Sequence, residues 1–440
     1  MFNREALREY MSGSLWFLPS LSALAALIVG WLVSQINMGP ESESAWASLA
    51  FQGTADDARA LLTAVAGTVV TVIALVLGLT VVALQLSSTQ FSPRLLRNFI
   101  RDRPNQVVLS VFVATFVYSS AGLFTVGVAS GERVQTYPRL AVSGSLALLF
   151  ATLAAVVFFA DHLAHSIQID AITKRVERST LVVARSRLGT CEEPTPVRPG
   201  WAVPVPATLS GYVQTVHPEQ LLPAAGREGV TVLLVPRVGE FVVAGTALAW
   251  VWAPGESDAR PDPQRLAGVL EHAVRIGFER TFEQDVAFGI RQLVDVACKA
   301  LSPAVNDPYT AVQAIDHLSV IFCTLAGRPL GDYVAQDPGN GGLVIIPARR
   351  FGDYLATMCG LIRRYGSREP TLCLALFRLL SRCAETVRSD PTRRAAIDEQ
   401  GSILLDAATR GIDQPEDLVA VTRAASTLHR TLAAGPPSAE

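Results

Sequence analysis

Four long stretches without a charged residue constrain this chain more than any other feature of its sequence. They cover residues 15–36, 61–86, 107–130 and 140–160. A helix rises about 1.5 Å per residue, so each stretch is long enough to cross a hydrocarbon layer of roughly 30 Å. The sequence therefore predicts a four-helix transmembrane domain over residues 1–165 and a water-soluble remainder.

Basic side chains flank the four stretches unevenly. Arg4 and Arg8 precede the first stretch, whereas the connections on the opposite side carry few positive charges, with Arg59 in one and Arg133 in the other. The other basic clusters are Arg94, Arg97, Arg101, Arg103, Lys174, Arg175 and Arg178. Positive residues tend to remain on the cytoplasmic side of a membrane. We therefore expect both termini in the cytoplasm.

The interiors of the four stretches lack ionisable residues, which disfavours an ion-coupled transporter. A mildly polar stripe repeats at helical spacing along the second stretch, at Thr68, Thr71, Leu75, Gly78 and Gln85. In an oligomer such a stripe could line a pore. Small and hydroxylated residues also let membrane helices pack closely, which is the more common use. Both interpretations stay open at this point.

A short helix is predicted at residues 92–103, where Ser92 can cap the first turn and Pro93 can begin it. Apolar residues gather on one side of this helix, and Arg94, Arg97 and Arg101 lie on the other. This pattern is typical of an interfacial helix that contacts anionic lipid headgroups. The alternative is a connector whose arginines only fix the topology.

Three potential metal ligands, Asp161, His162 and His165, follow the fourth stretch. They could hold a metal ion or respond to pH. An Asp–His pair four residues apart is more often an ordinary surface contact on a helix. We expect no bound metal here, and these residues remain weak candidates.

The pattern changes after a helical and proline-rich linker at residues 166–206. Short β-branched runs separated by glycine and proline predict a small β module at residues 207–255. The phrase VPRVGEFVVAGTALAWV is similar to the hairpins of barrel-sandwich modules, which carry biotin or lipoate on a lysine. No lysine occurs between Lys174 and Lys299, so neither group can be attached here, and we expect no cofactor.

A mainly helical domain is predicted at residues 263–433, followed by a disordered tail at 434–440. Helices are expected at residues 308–326, 351–365, 370–388, 391–408 and 415–433, with Asp307 capping the first of them and Gly327 ending it. The α+β character of this second half, joined to membrane helices, defines the predicted fold class.

The segment RTFEQDVAFGIRQLVDVACKALSPAVNDPYTA, residues 280–311, is the most distinctive part of the soluble half. Its polar candidates are Arg280, Glu283, Gln284, Asp285, Ser302, Asn306 and Asp307. Their oxygen atoms could converge on a hard cation such as Mg²⁺ or Ca²⁺. The alternative is structural, because buried polar groups around a tight loop need partners. We favour the structural interpretation.

That segment, the phrase LQLSSTQFSPRLLRNFIRD at residues 84–102 and the four-span beginning are together similar to a family of bacterial predicted integral membrane proteins of unknown function. The resemblance covers nearly the whole chain. It implies a multi-pass protein of a bacterial inner membrane with this architecture, and it implies no reaction. The sequence also lacks the GxSxG, HExxH and Walker A motifs, so we do not expect an enzyme.

Two functional hypotheses remain. The preferred one is a homo-oligomeric channel whose second membrane helix lines the path and whose cytoplasmic domain gates it. The alternative is a membrane-anchored sensor or scaffold whose cytoplasmic domain binds a ligand, a cation or a protein. The expected partners are the lipid bilayer, anionic headgroups and further copies of this chain. A net charge of −2 gives no basic field for nucleic acid.

Overall fold

The computed structural model describes residues 16–34, 51–90, 103–126, 138–166, 168–186, 196–253, 261–337, 339, 341–387 and 390–434. The described residues form 13 helices and eight strands. The chain divides into two compact units, Met1–Ala171 and Ile172–Glu440. Of the predicted interfacial helix, all residues before Arg103 lie outside the described part, including Arg94, Arg97 and Arg101. Residues 435–440 of the predicted tail lie outside it as well.

The first unit is a helical bundle. Its helices are α1 (Phe17–Ser34), α2 (Ala55–Gln90), α3 (Arg103–Thr125) and α4 (Arg139–Ser166). α3 packs against each of the other three. A Cβ atom at Gly30 of α1 would lie 3.2 Å from the Cβ of Ala121, so a small residue allows α1 and α3 to approach closely.

Hydroxyl groups join α3 to α4 inside this bundle. Thr115 and Thr152 are 3.0 Å apart through their Oγ1 atoms, and Ser119 and Ser145 are 2.6 Å apart through their Oγ atoms. All four side chains are fully buried. These four hydroxyl groups are thus paired inside the bundle, as a lipid environment requires.

The second unit begins with α5 (Ile169–Ser186), most of which lies within it, and continues with β1 (Val203–Pro206), β2 (Gly211–Val216), α6 (Pro218–Glu228), β3 (Thr231–Leu234), β4 (Phe241–Val242), β5 (Ala247–Trp252), α7 (Pro263–Ala273) and β6 (Val274–Gly277). The later elements are α8 (Val286–Ala300), α9 (Pro308–Ala326), β7 (Tyr333–Gln336), β8 (Leu343–Ile346), α10 (Phe351–Gly366), α11 (Pro370–Thr386), α12 (Pro391–Gly411) and α13 (Pro415–Ala433).

The strands form two sheets, and their pairing corrects the predicted β module at residues 207–255. A five-stranded sheet has the order β1-β5-β3-β8-β7, and a three-stranded sheet has the order β4-β2-β6. β8 pairs in parallel with β3, and β6 pairs antiparallel with β2. Strands from beyond residue 255 therefore complete both sheets, so the β structure is not a separate module.

Residues 218–228 also differ from the prediction, which placed them inside the β module. They form α6, because Pro218 occupies its first turn and Gly229, with φ of 61°, ends it in the left-handed conformation. The helices predicted from residue 308 onward are confirmed to within three residues at each end. Acidic caps precede proline at several of their starts, as at Asp307–Pro308, where Asp307 accepts a hydrogen bond from the Thr310 N–H.

Five helices in the described part are long and apolar enough to cross a membrane: α1, α2, α3, α4 and α9. The first four correspond to the four predicted transmembrane stretches. α9 was predicted as a helix of the soluble half. Half of its most apolar window is buried inside the second unit, where it packs against α8 and α11.

Candidate functional site

A cavity of about 390 Å³ lies in the second unit, beside the start of α8. Its wall combines apolar side chains with a small set of convergent polar groups. The polar lining residues are Ser186, Glu219, Arg237, Gln284, Asp285, Tyr333, Arg349 and Tyr354. A volume of this size is typical of small-molecule sites, which run from roughly 300 to 1,000 Å³.

One lining residue of the cavity, Asp285, belongs to an ion pair. Arg280 donates from Nε to Asp285 Oδ2 at 2.8 Å, and its Nη2 atom lies 2.7 Å from the same oxygen without forming a second hydrogen bond. Asp285 also caps α8, because its Oδ1 accepts the Phe288 N–H at 3.0 Å. Burial raises the pKa of the Asp285 carboxyl, and the Arg280 guanidinium is the strongest influence in the opposite direction.

Gln284 joins this segment to the end of β2. Its Oε1 accepts the Val216 N–H at 2.9 Å, and its Nε2 donates to the Val216 carbonyl at 3.1 Å. The side-chain amide thus pairs with the backbone as a neighbouring strand would. Gln284 therefore holds the cavity wall in position, because both polar atoms of its amide are hydrogen-bonded to the Val216 backbone.

The turn between β3 and β4 forms another part of the wall. Its Gly239 has φ of 85°, and a side chain there would overlap Asp285 and Arg280. The Glu240 carboxylate accepts the Arg237 backbone N–H at 3.0 Å, while Arg349 donates to the Val238 carbonyl at 3.2 Å and lies 3.5 Å from Glu240. This turn packs directly on the ion pair, which excludes any residue larger than glycine at 239.

Two polar side chains of the wall have no such hydrogen bond or ion pair in the described part of the chain. The Arg237 guanidinium has no ion pair or hydrogen bond within the described part of the chain. The Tyr354 side chain is 7% exposed and lines the cavity, yet its hydroxyl has no hydrogen-bond partner among the same residues. Burial raises the pKa of the Tyr354 phenol to about 12, so the hydroxyl keeps its proton at neutral pH.

The predicted convergence of seven polar residues in segment 280–311 is not what the structure shows. Gln284 and Asp285 line the cavity and Arg280 pairs with Asp285, whereas Glu283 is half exposed and lies 3.5 Å from Arg275. α8 has 15 residues and separates the two ends of the segment by about 22 Å. The structure therefore does not bring the oxygen atoms of the two ends together around one cation.

The remaining candidates, at the far end of α8, build the connection to α9. The Ser302 carbonyl accepts the N–H groups of Val305 and Asn306, and Asn306 adopts a left-handed φ of 49°. Asp307 accepts from the Thr310 N–H and hydroxyl, which lowers the pKa of its carboxyl. These contacts match the structural interpretation of this loop.

The sequence of this chain matches a family of known proteins. The family model described as "Predicted membrane protein (DUF2254)" matches residues 12–382. The chain belongs to this family. Its relatives include the uncharacterized proteins Rv1290c of Mycobacterium tuberculosis and Mb1321c of Mycobacterium bovis, each 42% identical over 444 residues. Each alignment covers 99% of this chain and 84% of the relative. No solved structure matches the chain.

The DUF2254 match covers the four helices of the first unit and every polar residue that lines the cavity. It ends at residue 382, within α11, so α12 and α13 lie beyond it. Arg237, Arg349 and Tyr354 are not among the site residues that the sequence predicts. No local pattern identifies them, because they reach the cavity from a turn and a helix that lie far from segment 280–311 in sequence.

The other predicted site residues of this DUF2254 member that the structure describes lie on helix surfaces of the first unit. The stripe residues Thr68, Thr71, Leu75, Gly78 and Gln85 are all exposed on α2. They face away from the buried Val65, Val69 and Val76 on the same helix. Asp161 and His165 form an exposed pair at 3.4 Å, and His162 stacks on Phe158. Within the described residues, no group of three such side chains could hold a metal ion.

Proposed function

We propose that this protein is a membrane-anchored sensor whose second unit binds a small molecule in the cavity beside α8. The single observation that supports this most strongly is the cavity itself, in which residues from six separate parts of the chain converge. Arg280, Gln284 and Asp285 fix its wall, and Arg237 and Tyr354 leave polar groups available to a ligand. A binding role fits these groups better than catalysis, since no nucleophile is paired with a base among the described lining residues.

The proposed topology has four spans, α1 to α4, in a bacterial inner membrane, with both termini in the cytoplasm. The uneven distribution of basic residues supports this orientation. α9 is apolar enough to be a fifth span, but Asp316 and His317 lie at its middle, and His317 pairs with Glu177 at 2.5 Å. Ionisable residues are costly at the centre of a bilayer. We therefore assign α9 to the soluble unit.

Helix α5 is the proposed route by which an occupied cavity signals. It starts three residues after α4 ends, and its last residue, Ser186, lines the cavity. Within the second unit α5 is held by the Glu177–His317 pair and by Thr180, whose hydroxyl would overlap any side chain at position 289. A ligand that shifts these contacts would move a helix continuous in sequence with the membrane bundle.

The test is to identify small molecules that leave the site when the purified full chain is denatured. Ala348→Trp fills the cavity, and Ala395→Trp places the same bulk on an exposed part of α12 as a control. Mass spectrometry should find a small molecule released by the wild type and by the control, and absent from Ala348→Trp. Release of the same molecules from all three, or of none from the wild type, would overturn the proposal.

A homo-oligomeric channel is the second candidate function. The stripe on α2 supports it, because all five stripe residues face outward from the single protomer, where another copy could pack. Reconstitution of the assembled protein in liposomes tests this candidate. A conducting path should give ion flux that Thr71→Leu and Gly78→Leu reduce. Continued absence of flux across voltage and membrane tension would remove it.

A further inference from the structure

The charges around the cavity indicate what kind of molecule it accepts, an inference that rests on the proposed binding function. The acidic lining residues are already engaged. Asp285 pairs with Arg280, and Glu219 lies 3.0 Å from His217. The carboxylate of Glu240 holds the Arg237 backbone and lies beside Arg349. Arg237 is thus the lining cation whose charge has no partner in the described structure.

A neutral hydrogen-bond donor accompanies that charge. Tyr354 is more than nine-tenths buried and lines the cavity, and its hydroxyl has no hydrogen-bond partner in the described part of the chain. A phenol with a protonated hydroxyl can donate to an anionic oxygen. The Tyr354 hydroxyl is accessible to water, and a bound acceptor could take the place of that water.

The rest of the wall is apolar. Val216, Leu330 and Ile346 line the cavity, and each is at most 8% exposed. The apolar part of a ligand would therefore displace water from the cavity-facing atoms of these three side chains, which are otherwise buried. The volume of about 390 Å³ is sufficient for a ring or a short chain together with a charged group.

We infer that the cavity binds a small organic anion, with its carboxylate or phosphate on Arg237 and Tyr354 and its apolar body against Val216, Leu330 and Ile346. The inference excludes cations and strongly polar neutral molecules as the principal ligands. The same anionic chemistry is offered by a soluble metabolite and by a lipid headgroup, so the experiment must separate these two sources.

Four probes test the inference by calorimetric titration of the full chain in detergent. Benzoate and phenyl phosphate carry an anion on an apolar ring, and benzamide is the neutral counterpart of benzoate. Dihexanoyl phosphatidic acid presents a phosphate as a lipid headgroup. Hydrogen bonds to charged groups contribute about 1.5–3 kcal/mol, so at least one of the two ring anions should bind roughly tenfold or more tightly than benzamide.

Variants show whether the binding depends on the named groups. Arg237→Gln should weaken binding of the preferred anion by roughly tenfold or more, and Tyr354→Phe by a smaller factor. Arg423→Gln, on the exposed face of α13, removes one positive charge elsewhere and should leave affinity unchanged. Thermal unfolding of each variant would show whether it has folded normally.

The outcomes separate this inference from the proposed function. Equal binding of benzoate and benzamide, no binding of any anion, or unchanged affinity in Arg237→Gln would overturn the anion assignment. The cavity would remain a binding site if Ala348→Trp still abolished release of an endogenous molecule. Preference for dihexanoyl phosphatidic acid over phenyl phosphate, lost in Arg237→Gln, would support the assignment and identify a lipid source.

Discussion

Among the described residues, exposed large apolar side chains are concentrated in the first unit of this molecule and buried ones in the second. In the first unit Leu24, Phe150 and Val157 are 56%, 63% and 71% exposed, while the hydroxyls of α3 and α4 are buried. In the second unit Phe322 and Phe377 are buried almost completely. The hydrophobic effect buries apolar groups only where water is the solvent. The first unit therefore has the outward apolar surface expected of membrane helices, whereas the second unit has a large apolar core.

The polar groups that each unit buries differ in the same way. The bundle buries neutral hydroxyls that pair across α3 and α4. The second unit buries the carboxylate of Asp285, which is stabilised by Arg280 and by the first turn of α8. A buried charge needs a counter-ion and hydrogen bonds, whereas a hydroxyl needs a single partner. The buried charged pair of this comparison, Asp285 with Arg280, consequently lies beside the cavity of the second unit.

The largest expected difference between the units concerns the loss of an aromatic ring. Phe322→Ala removes a fully buried side chain that contacts Phe351 and should lower the free energy of unfolding by about 3–5 kcal/mol. Phe150→Ala removes a ring that faces outward from α4 and should cost less than about 1 kcal/mol. Chemical denaturation in detergent measures both values. Equal losses would contradict the assignment of the two solvents.

Arg280→Gln should be nearly as damaging, because it leaves the buried Asp285 carboxylate without its counter-ion. The expected loss at neutral pH is about 3–5 kcal/mol. Arg291→Gln is the matched control, since the Arg291–Asp295 pair on α8 is also 2.8 Å long but more exposed, and its loss should be about 0.5 kcal/mol or less.

The pH dependence of Arg280→Gln follows from the raised pKa of Asp285. A carboxyl whose pKa is raised by folding contributes stability at low pH and loses it as pH rises through the folded-state pKa. Without Arg280 that pKa rises further. The deficit of the variant should therefore shrink as pH falls toward the ordinary pKa of aspartate. A deficit that does not change with pH would mean that the carboxylate does not cause it.

The sequence predicts most features of the structure that neighbouring residues determine, and it misses most of those that distant residues determine. The Asp307–Pro308 start of α9 and its end at Gly327 follow from neighbouring residues, and both are confirmed. The start of α6 at Pro218 was missed although its signals are local, because the predicted β module at residues 207–255 was taken to contain only strands. The pairing of β8 with β3 was not predicted, since it joins segments about 110 residues apart.

The cavity illustrates the same limit. The motif at residues 280–311 identified Arg280, Gln284 and Asp285, because their types and spacing are unusual. The same motif suggested that Asp307 joins them, which is wrong because an intact helix separates the two ends. Arg237 and Tyr354 are brought to the cavity by tertiary packing of a turn and a helix. Side chains of this kind are found from the fold rather than from a motif.

A charge placed on an outward-facing residue sharpens the comparison between the units. Leu24 of α1 and Val419 of α13 are both 56% exposed. Leu24→Asp should oppose membrane insertion by about 2.5–3.5 kcal/mol, because the carboxylate would lie within the hydrocarbon. Val419→Asp should change stability by no more than about 0.5 kcal/mol. The fraction of each variant recovered in the membrane, with the wild type as reference, measures the difference. Similar recovery of both variants would contradict the membrane assignment of α1.

The smallest expected effect tests whether the buried hydroxyls matter to the bundle. Thr152→Val keeps the shape of the side chain and removes its contact with Thr115, which also donates to the Val111 carbonyl at 2.8 Å. The expected loss is about 0.6 kcal/mol, the average for side-chain hydrogen bonds between membrane helices.

Thr71→Val is the control for this substitution, since Thr71 is exposed and its hydroxyl donates to the Gly67 carbonyl of its own helix at 3.0 Å. It should have almost no effect on the stability of an isolated protomer. Unfolding in mixed micelles under monomeric and oligomeric conditions compares the two variants. If Thr71→Val becomes the more damaging one only in the oligomer, the stripe on α2 packs against another copy. If Thr152→Val has no effect in either state, the buried hydroxyl pair does not stabilise the bundle.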